Sequence, residues 1–476
     1  MNGSTDEIEQ LKREIAELRK ALDEALETIK DLRAQLGQHS GNSHWPSSRD
    51  KGKKHRNRSL RKKSSQPIGG QSGHAGHTLA LSDEPDRIEQ HRPERCGICQ
   101  APLDSSQPVE RVQRRQVVDL PPVELEVVEH QAEILVCACC GQETMGEFPA
   151  DVAGPVQYGP RIKALVVYLK QEHFVPYQRT RDLLKDLFGV NISLGTLENI
   201  VHQAAQRLQS VTEKIKTALV CEQVVHFDES GFYIGGERQW LHSAGSQRFT
   251  FYAAHRSRGR KATDAINILP RFQGTAHHDH WAAYWQYEQC SHALCNVHLL
   301  RDLTALQEEG NQHWATRVKH LLLAAKAVVA TTSRSHASHL PSEKITQVER
   351  IYDRLVDAGL AANPPPPDGW PKGQRGRPKK TKARNLAERL QRYRPEILAF
   401  VYDFNVPFDN NRAEQDIRML KVQQKISGCF RSSTGAEAFC TTRSYTSSLR
   451  KQGLDIWRAL NSIFHGPLIE PCYTPV

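Results

Sequence analysis

Val224-Val-His-Phe-Asp228 is an apolar run ending in a carboxylate, followed by Gly231-Phe-Tyr-Ile-Gly-Gly236, Gln239-Trp-Leu-His-Ser-Ala-Gly245 and Arg248-Phe-Thr-Phe-Tyr-Ala-Ala254. Apolar alternation punctuated by glycine predicts three antiparallel strands joined by tight turns, with Asp228 at the end or middle of the first. A helical segment is expected over Ala262 to Leu269, then a fourth strand, Gly274-Thr-Ala-His-His-Asp279, which also ends in a carboxylate. A third acid, Glu414, opens a helix expected over Asn411 to Gln424, capped near Asn410 or Asn411.

Acids on a first strand, at the end of a fourth and on a later helix follow the layout of ribonuclease-H-like nucleases. In-line phosphoryl transfer calls for two Mg²⁺ or Mn²⁺ ions about 3.5 to 4 Å apart, and such hard cations take oxygen ligands. Asp228, Asp279 and Glu414 are therefore the candidate catalytic and metal-binding residues, two ions to a site. Singly, each acid also suits a turn, a helix cap or a surface pair with Arg418. Together they gain weight from Arg418, Lys421 and Lys425, which follow Glu414 at helical spacing and offer phosphates a cationic face. The chain between Asp279 and Glu414 is too long for a simple connection, so a helical insertion is expected.

Upstream, Cys96-Gly-Ile-Cys99 and Cys137-Ala-Cys-Cys140-Gly read as two knuckles separated by β-type segments at Arg115–Leu120 and Val123–Val128. Cys96, Cys99, Cys137 and Cys140 suit a tetrahedral, structural Zn²⁺, with Cys139 an alternative to Cys140. Pro160 to Arg207 reads as helices, with Ser193 capping a segment to Gln206 in the recognition position of a helix-turn-helix outline; a packing role is the alternative. At the N-terminus, Ile8, Leu11, Ile15, Leu18, Leu22, Ala25, Ile29, Leu32 and Leu36 form a heptad seam, which predicts a parallel coiled coil and at least a homodimer. A basic arm follows, with Lys51, Lys53, Lys54, Arg56 and Arg58 as candidate phosphate contacts. Arg375 and Arg377 in Arg-Gly-Arg-Pro resemble an AT-hook, with a solvated basic loop as the alternative.

The charge, +10 from 64 Lys+Arg against 54 Asp+Glu, favours a polyanionic partner. No apolar run approaches the length of a membrane span, and a cytosolic, nucleoid-associated protein is expected. Eleven cysteines with two C-x-x-C pairs point to metal rather than disulfides.

The stretch from Val406 to Arg431, with Asn-Arg-Ala-Glu414 at its heart, resembles the third-carboxylate block of the insertion sequence 66 transposases. Gly435-Ala, Arg443-Ser-Tyr and Arg450-Lys-Gln-Gly453 continue the likeness, and Pro46-Ser-Ser-Arg-Asp50, Gly69-Gly-Gln-Ser-Gly-His-Ala-Gly-His77 and the knuckles extend it upstream. The resemblance implies a DNA transposase whose acidic triad falls on Asp228 in Phe-Asp-Glu-Ser, Asp279 in His-Asp-His-Trp-Ala-Ala-Tyr284, and Glu414. It further implies double-stranded DNA partners, namely the element's terminal repeats and a target, and small companion proteins. His280 and Trp45 depart from the family's usual Gly and Pro. Cys295-Asn-Val-His298 resembles a Cys-x-x-His element of such enzymes, and a packing or hydrogen-bonding role is favoured there over a second zinc.

The expected architecture is multidomain α+β: coiled coil 1–37, basic linker 38–80, zinc ribbon 81–150, helix-turn-helix-like region 151–215, ribonuclease-H-like α/β catalytic domain 216–299 and 395–435 interrupted by a helical insertion 300–394, and a helical tail 436–476. Two competing expectations are a ribonuclease-H-like nuclease that does not join ends and a non-catalytic zinc-ribbon regulator.

Overall fold

The computed structural model describes residues 79–474 except 107, 122, 309–311, 336 and 366–379, together with Glu17 and Arg19. The heptad seam other than those two residues, the basic arm with Lys51, Lys53, Lys54, Arg56 and Arg58, and the Arg375 and Arg377 loop lie outside the described residues. Among the described residues, one compact unit takes residues 79–129 with Leu187–Gly189; the other takes His130–Asp186 and the chain from Val190 onward, with Glu17 and Arg19.

In the first unit, Arg95 bridges Pro102 across the first knuckle. The segments Arg115–Leu120 and Val123–Val128 form no strand among the described residues, which corrects the β-type expectation. A strand is held by cross-strand neighbours and a buried face, and here Val117 is 94% exposed and no ladder forms.

In the second unit, β1 (Ile134–Val136) pairs antiparallel with β2 (Glu143–Met145), closing a hairpin around the second knuckle. Helices α1 (Pro160–Val167) and α2 (Tyr177–Phe188) flank a wide π turn at Tyr168–Glu172. Ser193 caps α3 (Leu194–Val220), its Oγ accepting the Thr196 N–H at 3.0 Å. The apolar stripe of α3 does not stop at Gln206: Leu197, Ile200, Val201, Leu208 and Ile215 are all buried, so the segment in the recognition position packs along one long core helix.

A five-stranded sheet follows: β3 (Val224–Ile234), β4 (Glu237–Gly245), β5 (Thr250–His255), then α4 (Arg260–Ile266), β6 (Thr275–His278) and β7 (Ser291–Leu294). Its order is β5-β4-β3-β6-β7, with β3, β4 and β5 antiparallel and β3, β6 and β7 parallel. The first hairpin turns on Gly235 and Gly236, both at positive φ (57° and 86°), where a side chain would be strained. The second turn depends on Ser246, whose Oγ accepts the N–H groups of Arg248 and Phe249.

From β7 to Asp409 every described element is helical: α5 (Asn296–Glu308), α6 (His313–Thr332), α7 (Ser342–Ala362), α8 (Lys382–Arg392), α9 (Arg394–Ile397) and α10 (Ala399–Tyr402). They share one core that includes Leu303, Trp314, Leu322, Tyr352, Leu390 and Phe400. The chain then forms α11 (Asn411–Ser427), α12 (Ser433–Lys451) and α13 (Ile456–Ser462). Helix α12 packs against α3 and β5, and although rich in Ser and Thr it is buried without a break from Thr442 to Leu449. It completes the sheet's edge: Ser448 Oγ accepts the Thr250 N–H at 3.0 Å and Ser444 Oγ the Tyr252 N–H at 2.9 Å. Two serines one helical turn apart thus satisfy edge donors that would otherwise be buried unpaired.

Candidate active site

Pairing of β3 with β6 in parallel register, Val224 opposite Thr275 and His226 opposite His277, sets the site. Carrying that register two residues further places Asp279 alongside Asp228. Asp228 Oδ1 accepts its neighbour's amide, from Glu229, at 2.8 Å. Burial first, then the charges of Glu229 and Asp279 and more weakly Glu414, push its carboxyl well above the usual carboxylate range. Asp279 and Glu414 thus each add a like charge that Asp228 feels. Asp279 Oδ1 accepts the Trp281 N–H at 2.9 Å.

Glu414 sits in the first turn of α11, its amide donating to Asn410 O at 3.1 Å. Asn410 holds the N-cap position but makes no capping bond with its side chain. Its Nδ2 donates instead to Phe227 O at 3.0 Å, its Oδ1 accepts from His226 Nδ1 at 2.7 Å, and its backbone N–H donates to Cys295 Sγ at 3.2 Å. Cys295 is buried and used as a hydrogen-bond acceptor. His277 Nε2 reaches Pro407 O at 3.1 Å, a second tie to the segment ahead of α11. The departing residue His280 packs edge-on against Tyr393 of the helical insertion, 4.6 Å between ring centres.

Two neighbours escaped sequence reasoning. Glu229, with a side chain 2% exposed, is bound by Arg258 Nε at 2.7 Å and by the Tyr284 hydroxyl at 2.6 Å. Phe-Asp-Glu-Ser marked the position, but no local signal names an arginine from beyond β5 as its partner. On α11, Arg418, Lys421 and Lys425 are all exposed, and Lys421 Nζ donates to Gly231 O at 2.7 Å.

Among the described residues, no group of three or more His, Cys, Asp or Glu side chains is arranged as a ready metal cage. The donor chemistry nonetheless fits a hard divalent cation: Asp228, Asp279 and Glu414 offer oxygen alone, and a cation would offset the repulsion that burdens Asp228. A cleft of about 1380 Å³ opens at the start of β3, lined by Lys214, Arg248 and Arg412 but also Glu213, Glu222 and Asp409, and it does not include the acids. Its charges nearly cancel, and proximity to the acids is the stronger guide to chemistry.

Each cysteine knuckle is locally formed. Gln100 N–H donates to Cys96 O at 3.1 Å and Gly141 N–H to Cys137 O at 2.8 Å. Backbone amides of Cys99 and Ile98 lower the Cys96 thiol's pKa, and those of Cys140 and Cys139 do the same for Cys137. After the amides, the Cys140 side chain lowers the Cys137 thiol, as that of Cys99 lowers Cys96. Amides aimed at sulfur favour thiolates, the form that binds zinc.

Fold and site define a multidomain α+β protein with an acidic site where a mixed sheet meets the start of a helix. The chain belongs to the Transposase IS66 family, whose family model matches residues 155–438, from ahead of α1 into α12. Residues 93–141, which contain both knuckles, match the zinc-finger binding domain of transposase IS66. Residues 2–80 match a family of unknown function. No curated protein matches the chain. Among the described residues no helix is long and apolar enough to cross a membrane.

Proposed function

We propose that this transposase cuts DNA at the ends of a mobile element and joins them to a target, using Asp228, Asp279 and Glu414 as its metal-binding acids. The observation that carries this is the surroundings of the buried Asp228: the parallel register of β3 with β6 brings Asp279 alongside it, and burial, Glu229, Asp279 and more weakly Glu414 push its carboxyl up. The strand order supports a ribonuclease-H-like catalytic domain. Two Mg²⁺ or Mn²⁺ ions would supply an activated water or 3′-OH and stabilise the leaving oxygen. The chain's own part is positional: β3 and β6 hold Asp228 and Asp279 side by side, Asn410 fixes α11 against β3, and Arg418, Lys421 and Lys425 meet the phosphates of double-stranded DNA.

Cys96, Cys99, Cys137 and Cys140 hold a structural zinc in this proposal, and the Ile8 to Leu36 seam makes a homodimer so that two element ends are cut together. The basic arm and the Arg375 and Arg377 loop add phosphate contacts, and companion proteins join at the nucleoid.

Incubating the purified chain with Mg²⁺ and labelled element ends tests the catalytic proposal. Asp228→Ala, Asp279→Ala and Glu414→Gln should each abolish cleavage while leaving binding to the ends within a few-fold of wild type. Wild-type cleavage by any one variant removes that residue from the site. Cutting without joining would make the chain a nuclease, and binding alone a regulator.

A further inference from the structure

Two tryptophans converge on one guanidinium beside the acids. Arg258 lies 3.8 Å from the ring centre of Trp281 and 5.0 Å from that of Trp240 on β4, and Arg238 covers Trp240 at 4.8 Å. Arg258 cannot swing away freely, because its Nε is bonded at 2.7 Å to the buried Glu229, next to Asp228. Trp281 remains 37% exposed although one face is occupied by the cation, and its own amide is bonded to Asp279 at 2.9 Å. An indole held by a fixed cation on one side and open on the other is a preorganised flat apolar surface rather than a core residue.

We propose that Trp281, backed by Arg258, is a stacking platform for one unpaired nucleobase at the reacting DNA end. The inference rests on the proposed catalytic role of the acids and adds the nucleotide feature they recognise. Every base has a π face, so stacking tolerates any sequence and suits a position opened by cutting. Through its amide the Trp281 ring stays in register with Asp279, so a base on it would sit next to the phosphate held by the acids. A second observation points to the same ligand: Lys421 Nζ donates to Gly231 O at 2.7 Å and the Arg238 guanidinium lies against the same glycine, so two cations flank one stretch of β3, an arrangement that a backbone phosphate would suit.

The test uses the full chain in buffer without Mg²⁺ or Mn²⁺ and without chelator, so that no strand is cut and zinc is kept, and two duplexes of the same element-end sequence. One is fully paired; the other ends in a single unpaired 2-aminopurine. Wild type should bind the unpaired probe about tenfold more tightly, the size of one stacked base, and quench its fluorescence. Trp281→Ala should lose both preference and quenching, and Trp281→Phe, which keeps a ring, should recover part of each. The platform is refuted if wild type shows neither effect, or if Trp281→Ala retains both. Mg²⁺-dependent cleavage by wild type, followed in parallel, separates the two ideas: its absence counts against the catalytic role alone, while the binding comparison still decides the platform.

Discussion

Asn410 Oδ1 lies 2.7 Å from His226 Nδ1, joining the residue that starts α11 to the strand that carries Asp228. Because the amide nitrogen of Asn410 is committed to Phe227 O at 3.0 Å, its oxygen accepts, and His226 must be the Nδ1–H tautomer. Burial holds the His226 ring down to about 3, so it stays neutral and keeps that proton where the bond needs it. Glu414 is one helical turn beyond this clamp. Asn410→Ala is therefore expected to lower metal-dependent cleavage by about 100-fold, the penalty of a misplacement of order 1 Å, and to leave DNA binding within a few-fold. Cleavage at the wild-type rate by a folded Asn410→Ala protein would show that α11 is positioned by other contacts.

The zinc proposal has its own readout. Structural zinc contributes folding free energy directly, so Cys96→Ser should reduce bound zinc from about one per chain to none and expose the 93–141 segment to protease. Cys139→Ser should do neither, since Cys140 completes the C-x-x-C pair with Cys137 and is the side chain that lowers its thiol. Elemental analysis of freshly purified, reduced protein checks both, and zinc loss in Cys139→Ser would exchange the two residues.

Which parts of this architecture sequence discloses follows from the range of the interactions. Strands β3 to β5 announce themselves because their alternation and the Gly235-Gly236 turn are local, and so does the Ser193 cap. The acids are legible as candidates because local patterns mark their places: Asp228 after the apolar start of β3, Asp279 just past β6 and Glu414 in the first turn of α11. What pins them is not: Asn410 acts on His226 and Phe227 across the fold, and Arg258 reaches back to Glu229 over a hairpin. The Val117 to Val128 region misleads in the other direction, since apolar alternation promises a strand only where a partner is supplied. For helix α12, which lies largely within the stretch expected to be a helical tail, composition obscures the burial, because buried serines and threonines show no apolar period.

Acid should act through His242. Burial pulls its ring down to about 4, although Nε2 is 3.1 Å from Ser257 O, so the folded protein keeps it neutral where the unfolded chain, near 6.5, binds a proton. The unfolded state then holds more protons between those values. Stability from this residue is intact above about 6.5 and is lost as pH falls toward about 4, on the order of 3 kcal/mol in all. Denaturant unfolding of wild type and His242→Gln across that window should show a difference that varies with pH; a constant difference would mean His242 does not titrate as described.

Edge completion by α12 leads to the last prediction. β5 ends the sheet, and Thr250 and Tyr252, both essentially inaccessible, direct their amides outward to Ser448 and Ser444, which are equally buried. Each serine hydroxyl also donates within its own helix, Ser448 to Ser444 O and Ser444 to Cys440 O, both at 2.7 Å, so the oxygens are held ready to accept. Removing a hydroxyl leaves no water in its place, and the strand amide bears its full desolvation penalty, about 1–3 kcal/mol for each orphaned group. Ser444→Ala and Ser448→Ala should each destabilise by that amount. The double variant should approach the sum only if the two bonds act independently, and helix neighbours commonly couple. Hydrogen exchange gives the sharper check: the amide of Tyr252 should lose protection in Ser444→Ala and that of Thr250 in Ser448→Ala, with the β3 and β4 amides still slow. If the strand amides stay protected in both variants, other atoms cover the β5 edge and the serines serve only to pack the helix.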